Sequence, residues 1–261
     1  MKPVRAKKKL GQHFLTDLTI ARRIAETLDF QKYSNIIEIG PGMGVLTQFL
    51  VSETQSLNLV EIDSESVAYL KNTYDENQAN LIEGDFLKLD FKKTFGDEPF
   101  AIIGNFPYNI STQIVFKTLE NRDQIPFFSG MFQKEVAERI CEPPGSKKYG
   151  ILSVLTQLFY KTELLFHVPP QVFKPPPKVD SAVIRLVRKT DFHLDCDEVL
   201  LFQVVKLSFQ QRRKTLRNSL KTLNIPKMLT EDSIFDLRPE KLSGKDFVQL
   251  AKQIGHGNIS N

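Results

Sequence analysis

The chain lacks the usual means of covalent or metal stapling. It has two cysteines, Cys141 and Cys196, and four scattered histidines in 261 residues. Two thiols make no disulfide framework, and this spacing of cysteine and histidine makes no zinc site, so no metal is expected. No apolar stretch is long enough to cross a bilayer, so no membrane partner is expected either. The N-terminal MKPVRAKKKLGQHF is basic but lacks the apolar segment of a secretory signal. A reducing cytoplasm is the expected location and a monomer the expected state. What is present is ordinary for a globular protein: 41% apolar and 25% charged residues.

The net charge of +4 is unevenly spread. Residues 1–33 carry eight Lys/Arg against three Asp/Glu, residues 34–177 twelve against eighteen, and residues 178–261 fifteen against ten. Two basic ends flank an acidic middle. That pattern suits a polyanion gripped by the ends while chemistry proceeds between them. The alternative is a merely solvated surface.

From Asn35 short apolar runs alternate with amphipathic stretches. NIIEIG, LNLVEID, NLIEGD, FAIIGN and FFSGMFQ read as strands. GVLTQFLVSE, SESVAYLKNTYDE (opened by a Ser N-cap), Ser111 through Leu119, and KEVAERI read as helices. This alternation predicts an α/β fold with a parallel sheet and helices on both faces. ILSVLTQLFY is helical in period, and KTELLFHV and SAVIRLVRK read as strands around the loop PPQVFKPPPKVD. Beyond Lys189 only helical patterns remain. The expected division is residues 1–189, with 1–33 as a basic arm and first helix, and a small α-helical domain over 190–261.

The first βα turn, EIGPGMG, places Gly40, Gly42 and Gly44 where backbone can approach a ligand. Val45 stands where the last glycine of the dinucleotide fingerprint would be, which disfavours a dehydrogenase. A similar turn, acid-x-G-x-G-x-G, is typical of S-adenosylmethionine methyltransferases. The next strand ends at Glu61, followed by Ile62, about 20 residues on, where an acid can accept from ribose hydroxyls. The third ends in Asp85, an acceptor for an adenine amine or else a helix cap, and Phe86 offers apolar surface.

The fourth strand ends in GNFPYNIST. An adenine N6 amine is a poor nucleophile because its lone pair is delocalised into the ring. Acceptors aimed at its N–H groups would make it more tetrahedral. The Asn105 side chain and the Phe106 backbone carbonyl can serve, Pro107 stiffens the carbonyl, and Tyr108 offers a stacking face. Catalysis would then be positioning and electrostatics. The alternative is a strand-to-helix turn with an Asn cap.

At this point the chain resembles the KsgA-type ribosomal RNA small-subunit adenine dimethyltransferases over nearly its whole length. The matching stretches are GQHFLTD, EIGPGMGVLT, VEID, EGDFLKLDF, GNFPYNIST, MFQKEVAERI, KYGILSV, PPPKVDSAV and FQQRRKTLRNSL, in the family's order. The resemblance implies a Rossmann-like domain with a mostly parallel seven-stranded sheet and a C-terminal helical domain. It implies S-adenosylmethionine as cofactor and dimethylation of two adjacent adenosines near the 3′ end of small-subunit rRNA, on a 30S pre-subunit, with a role in subunit biogenesis. Carried over by motif, the cofactor contacts are His13, Leu15, Gly40, Gly42, Glu61, Ile62, Asp85, Phe86 and Asn105. His13 stands where Asn is frequent, and Phe106 where Leu or Pro is commoner. In the family an aromatic at Phe173 sandwiches the flipped adenine; the alternative is a plug beneath a loop. Lys7 and Lys8 in the arm, and Arg212, Arg213, Lys214, Arg217 and Lys221 along one expected helix, read as phosphate contacts or as a solvated face. The rivals are an Erm-type methyltransferase of large-subunit rRNA and an assembly factor that acts mainly by binding.

Overall fold

The computed structural model describes residues 4–54 and 56–259, with side chains through residue 255. Among the described residues there are nine strands: β1 (Phe14–Leu15), β2 (Asn35–Ile39), β3 (Ser56–Glu61), β4 (Asn80–Glu83), β5 (Ala101–Asn105), β6 (Phe127–Gln133), β7 (Tyr160–Val168), β8 (Phe173–Lys174) and β9 (Ser181–Arg188). The helices are α1 (Leu18–Ala25), α2 (Ser64–Thr73), α3 (Phe91–Phe95), α4 (Ser111–Glu120), α5 (Lys134–Cys141), α6 (Ile151–Phe159), α7 (Glu198–Gln210), α8 (Leu216–Ser219), α9 (Lys227–Thr230) and α10 (Gly244–Ile259), joined by short 3-10 turns.

Seven strands form one sheet in the order β4-β3-β2-β5-β6-β9-β7. The pairs from β4 through β6 are parallel, and β9 runs antiparallel to β6. Parallel strands are covered on both faces and so read as unbroken apolar runs. Ile36, Ile37, Ile102 and Ile103 are fully buried accordingly. The order reverses at β2, which has β3 on one side and β5 on the other. Connections leave such a point in opposite directions and open a crevice at the carboxyl ends.

The chain divides into two compact units, residues 1–137 with 162–188, and 138–161 with 189–261. The first carries the site. The second is helical, with α6, α7 and α10 packed on one another. The expected single boundary near residue 190 did not anticipate that residues 138–161 group with the C-terminal helices. The reason lies in α6, ILSVLTQLF, whose Leu152 through Thr156, Leu158 and Phe159 are buried almost all round. A helix without a polar face needs helical neighbours on more than one side.

Three local expectations are corrected. GVLTQFLVSE forms a single 3-10 turn at Thr47–Phe49, because the Thr47 hydroxyl is drawn inward to donate to Glu38 and i−3 bonds close the turn. Asp63, not Ser64, caps α2, its carboxylate accepting from Glu65 N. The basic run is no single helix: α7 ends at Gln210, Arg212–Lys214 lie in a turn, and α8 restarts at Leu216, whose N–H donates to Leu237 O.

A close approach at the end of β5 matters for the site. Gly104 and Gly130 are register partners on β5 and β6. The buried Phe106 ring lies over both, stacks on Phe128 (centroids 4.9 Å apart) and meets Phe132 at a tilt (5.0 Å). A Cβ on Gly130 would run into the Gly104 carbonyl oxygen and the Phe106 ring. Gly130→Ala is therefore expected to lower unfolding free energy by roughly 1–3 kcal/mol in denaturant titration, the usual cost of overpacking a core. An unchanged midpoint would show that the two strands can part.

Candidate active site

Three strand ends meet at the crevice. β2 leads into Gly40, Pro41 and Gly42, β3 ends at Glu61, and β5 ends at Asn105. With Leu10–Leu15 they line one cavity, together with Glu38, Val45, Leu46, Ile62 and Phe106–Tyr108. Gly42 has φ 58°, and a Cβ there would stand 2.9 Å from the Phe14 ring, so the arm lies directly on the turn.

Two carboxylates are buried in this wall. Glu61 accepts from Gly42 N (3.0 Å), Ile62 N (2.9 Å) and Asp63 N (2.8 Å). Burial still raises its pKa, since three donors only partly offset lost hydration. Glu38, 1% exposed, accepts from the Thr47 hydroxyl at 2.7 Å, and burial pushes its pKa up to about 8. Sequence reasoning missed Glu38. Its signal was the acid that opens EIGPGMG, which was given no role.

The N-terminal arm closes the site. Asn105 Nδ2 donates to His13 O at 3.2 Å. The His13 ring stacks on Tyr108 with centroids 5.3 Å apart, and His13 Nδ1 lies 2.8 Å from Pro175 O. The Tyr108 hydroxyl is 2.5 Å from Ser181 Oγ, and burial raises its pKa despite that bond. Ahead of His13, Lys7 Nζ and Gln12 Nε2 both donate to the Asp63 carboxylate, the latter at 3.0 Å, and Lys7 lies 3.1 Å from Glu65. Burial works against the Asp63 charge, but these donors outweigh it and hold its pKa below the ordinary value. Lys7, expected at a phosphate, is thus engaged with acids inside the protein. Lys8 is exposed.

A second cavity shares Gly11, Gln12, His13 and Tyr108 with the first and is completed by Ala6, Lys8, Gln133 and residues 175–179. Sequence reasoning missed this wall, although the run PPPKV was conspicuous. Phe173, expected beside the flipped base, lines neither cavity: β8 pairs with β1, Leu15 opposite Phe173, and its ring is 3% exposed in the core. Asp85 and Phe86 lie one strand further out. Asp85 Oδ1 caps a 3-10 turn by accepting from Leu87 N at 3.0 Å, and Phe86 packs on Phe91. Leu15, 4% exposed, lines the first cavity.

The basic residues of the second unit divide. Arg212 donates to Ser146 O (2.8 Å), and Arg217 binds Asp236 (2.8 Å) and the Thr230 carbonyl, so both stitch their own unit together. Arg213, Lys214 and Lys221 are exposed. Among the described residues no group of three or more His, Cys, Asp or Glu could hold a metal, and no helix is long and apolar enough to cross a membrane.

A switch-point crevice with a glycine turn, strand-end acids and an amide–aromatic tip defines the class as an S-adenosylmethionine-dependent methyltransferase. Residues 4–252 match the profile of ribosomal RNA adenine dimethylase, and the chain belongs to that family. It is 59% identical over 254 residues to the ribosomal RNA small subunit methyltransferase A of Flavobacterium johnsoniae, covering 97% of each chain. It is 56% identical to the protein of that name from Bacteroides thetaiotaomicron, covering 97% of this chain and 96% of that one. Among solved structures it resembles a dimethyladenosine transferase of Plasmodium falciparum (TM-score 0.78, 26% identity, 94% and 98% of the chains). It also resembles the 23S rRNA methyltransferase ErmE (TM-score 0.70, 26% identity, 92% and 100%).

The donor set fits the cofactor. S-adenosylmethionine carries an ammonium and a sulfonium, and Glu38 and Glu61 are buried carboxylates whose ionised forms gain from a nearby cation. Phe14, Leu15, Val45 and Leu46 supply the apolar surround.

The raised Glu38 pKa has a stability signature. Stability from the protonated acid is fully present below its ordinary value of 4.5 and is lost as pH rises through about 8. Relative to Glu38→Gln, the wild type should lose up to about 1.4 kcal/mol per pH unit across that window. Denaturant titrations of both chains at several pH values check it; a constant difference would mean that Glu38 is ionised throughout.

Proposed function

We propose that the protein dimethylates the N6 amines of two adjacent adenosines near the 3′ end of small-subunit rRNA, acting on a 30S pre-subunit during its biogenesis. The observation that carries this reading is the orientation of Asn105. Its Nδ2 is committed to the His13 carbonyl, which leaves Oδ1 as the acceptor for an amine. High identity to small-subunit enzymes over whole chains supports this substrate above the large-subunit target of ErmE.

The target base is unstacked and enters the second cavity, between residues 175–179 and Tyr108. Asn105 Oδ1 and the Phe106 carbonyl accept from the amine and draw its lone pair out of conjugation. The packed Phe106 ring and Pro107 hold that carbonyl in place. S-adenosylmethionine supplies the methyl group when bound. The Gly40–Gly42 turn receives it closely, Glu61 and Ile62 border its ribose, and Asp85 keeps a second oxygen free for its adenine amine, with Phe86 as apolar surface. Water takes the proton from the acidic product cation. The cavity then accepts monomethyladenosine for the second transfer.

The first unit holds the catalytic machinery and the helical unit binds RNA through Arg213, Lys214 and Lys221 on phosphates, with Lys8 of the arm as a further phosphate contact. Binding of this kind fixes register and leaves base choice to the crevice. On this reading the enzyme works as a monomer in the cytoplasm.

Asn105→Ala should lower kcat for label transfer from tritiated S-adenosylmethionine to unmodified small subunits by about a hundredfold or more, as loss of a transition-state contact does. Wild-type turnover by the variant would sink the reading, and mapping the modified nucleotide elsewhere would sink the substrate assignment. Arg213→Ala should reduce the slope of log affinity against log salt by about 1 if Arg213 meets a phosphate.

A further inference from the structure

We propose that Lys7, Gln12 and Asp63 form a latch whose role is to set which face of the Asn105 amide meets the substrate amine. The inference rests on the reading of Asn105 as the amine's acceptor.

Asp63 follows directly on the strand-end pair Glu61 and Ile62, and its side chain is wholly buried. One carboxylate oxygen accepts from Lys7 Nζ and the other from Gln12 Nε2. Gln12 Oε1 turns back to accept the Lys7 N–H at 2.7 Å. The loop between them is tightened by Leu10 N donating to Lys7 O and Gly11 N to Lys8 O. Gly11, with φ 64°, sits against Asn109 so closely that a Cβ would meet its side-chain oxygen. Residues 7–12 are thus held as one closed ring on a buried anion. Opening it would leave the Asp63 charge without its lysine, which a buried carboxylate resists.

The next residue is His13. Its carbonyl accepts a hydrogen bond from Asn105 Nδ2 at 3.2 Å. The terminal torsion of asparagine is broad and roughly two-fold, so an unheld amide can turn its N–H₂ toward the substrate. An N–H₂ facing an amine offers donor to donor and cannot draw out its lone pair. Held by His13 O, the amide presents Oδ1 instead. Gln12 is covalently adjacent to His13, so the ring on Asp63 governs where that carbonyl stands. Lys7, Gln12 and Asp63 are positioning residues in this account; none touches the reacting atoms.

The test uses the full chain with Lys7→Met and Gln12→Leu, and Lys7→Arg as the conservative control. Hydrogen exchange is read first, without cofactor. Amides of residues 7–16 should exchange about tenfold faster in Lys7→Met and Gln12→Leu, with the sheet amides unchanged, as for a local opening. In methylation of unmodified small subunits by Lys7→Met kcat should fall about tenfold, while KM for the RNA substrate and the salt slope of RNA binding stay at wild-type values; Gln12→Leu is read by exchange alone, because Gln12 also lines both cavities. Lys7→Arg should restore both readouts. Wild-type exchange of the arm in Lys7→Met overturns the latch whatever Asn105 does. So does a salt slope reduced by about 1 with kcat intact, which would return Lys7 to a phosphate contact. Wild-type turnover by Asn105→Ala is a different result: it overturns the functional reading and the coupling to it, while arm exchange still decides whether the ring on Asp63 holds the arm.

Discussion

β2 pairs in parallel with β3 on one side and β5 on the other, and everything at the site follows from that double pairing. The strand order reverses at β2, with β3 and β4 to one side and β5 and β6 to the other, so right-handed crossovers place the connections of the two halves on opposite faces of the sheet. The backbone therefore parts at the carboxyl end of β2, where a turn rich in glycine leaves room for a ligand. The same register carries the tip of β3 and the tip of β5 to that gap. Glu61 and Asn105 are 44 positions apart in the chain, yet they line one cavity because both strands lie beside β2.

Two kinds of constraint then shape the cavity. One is steric: Gly104 and Gly130 admit the Phe106 ring, and the aromatic cluster beneath it fixes the backbone that carries the Phe106 carbonyl. The other is electrostatic. Glu38 and Glu61 are buried next to a cavity with their charge disfavoured, while nearby Asp63 is buried with its charge satisfied by Lys7 and Gln12. The contrast separates function from structure among three neighbouring acids. The two acids whose charge burial disfavours suit a cationic ligand, and the one whose charge is met by Lys7 and Gln12 holds the protein's own arm.

Much of this was legible beforehand. Apolar runs marked each sheet strand, and acids and an amide at strand tips marked the crevice, because parallel strands place their chemistry at one edge. What was not legible has a common cause. Lys7 and Arg217 looked like free charges, and Phe173 looked like a stacking platform, since sequence shows a residue's type and not its partner. Asp63 and Asp236 claim the two cations, and the β1–β8 pairing claims the ring. The basic run had helical spacing, but the turn at Arg212–Lys214 broke it, with Arg212 bound to Ser146 O.

By itself the sequence determined the α/β alternation, the glycine turn, the strand-end acids and the Asn-Phe-Pro-Tyr tip. These depend on local periodicity and on residue chemistry at fixed offsets, which need no distant partner. Tertiary structure alone decided that Glu38 is a buried acid, that residues 175–179 wall the second cavity, that 138–161 group with the C-terminal helices, and that the arm's lysine binds Asp63. Each of these depends on which groups are brought together across long separations. Burial and charge pairing are properties of that neighbourhood, and it exists only once the sheet has formed.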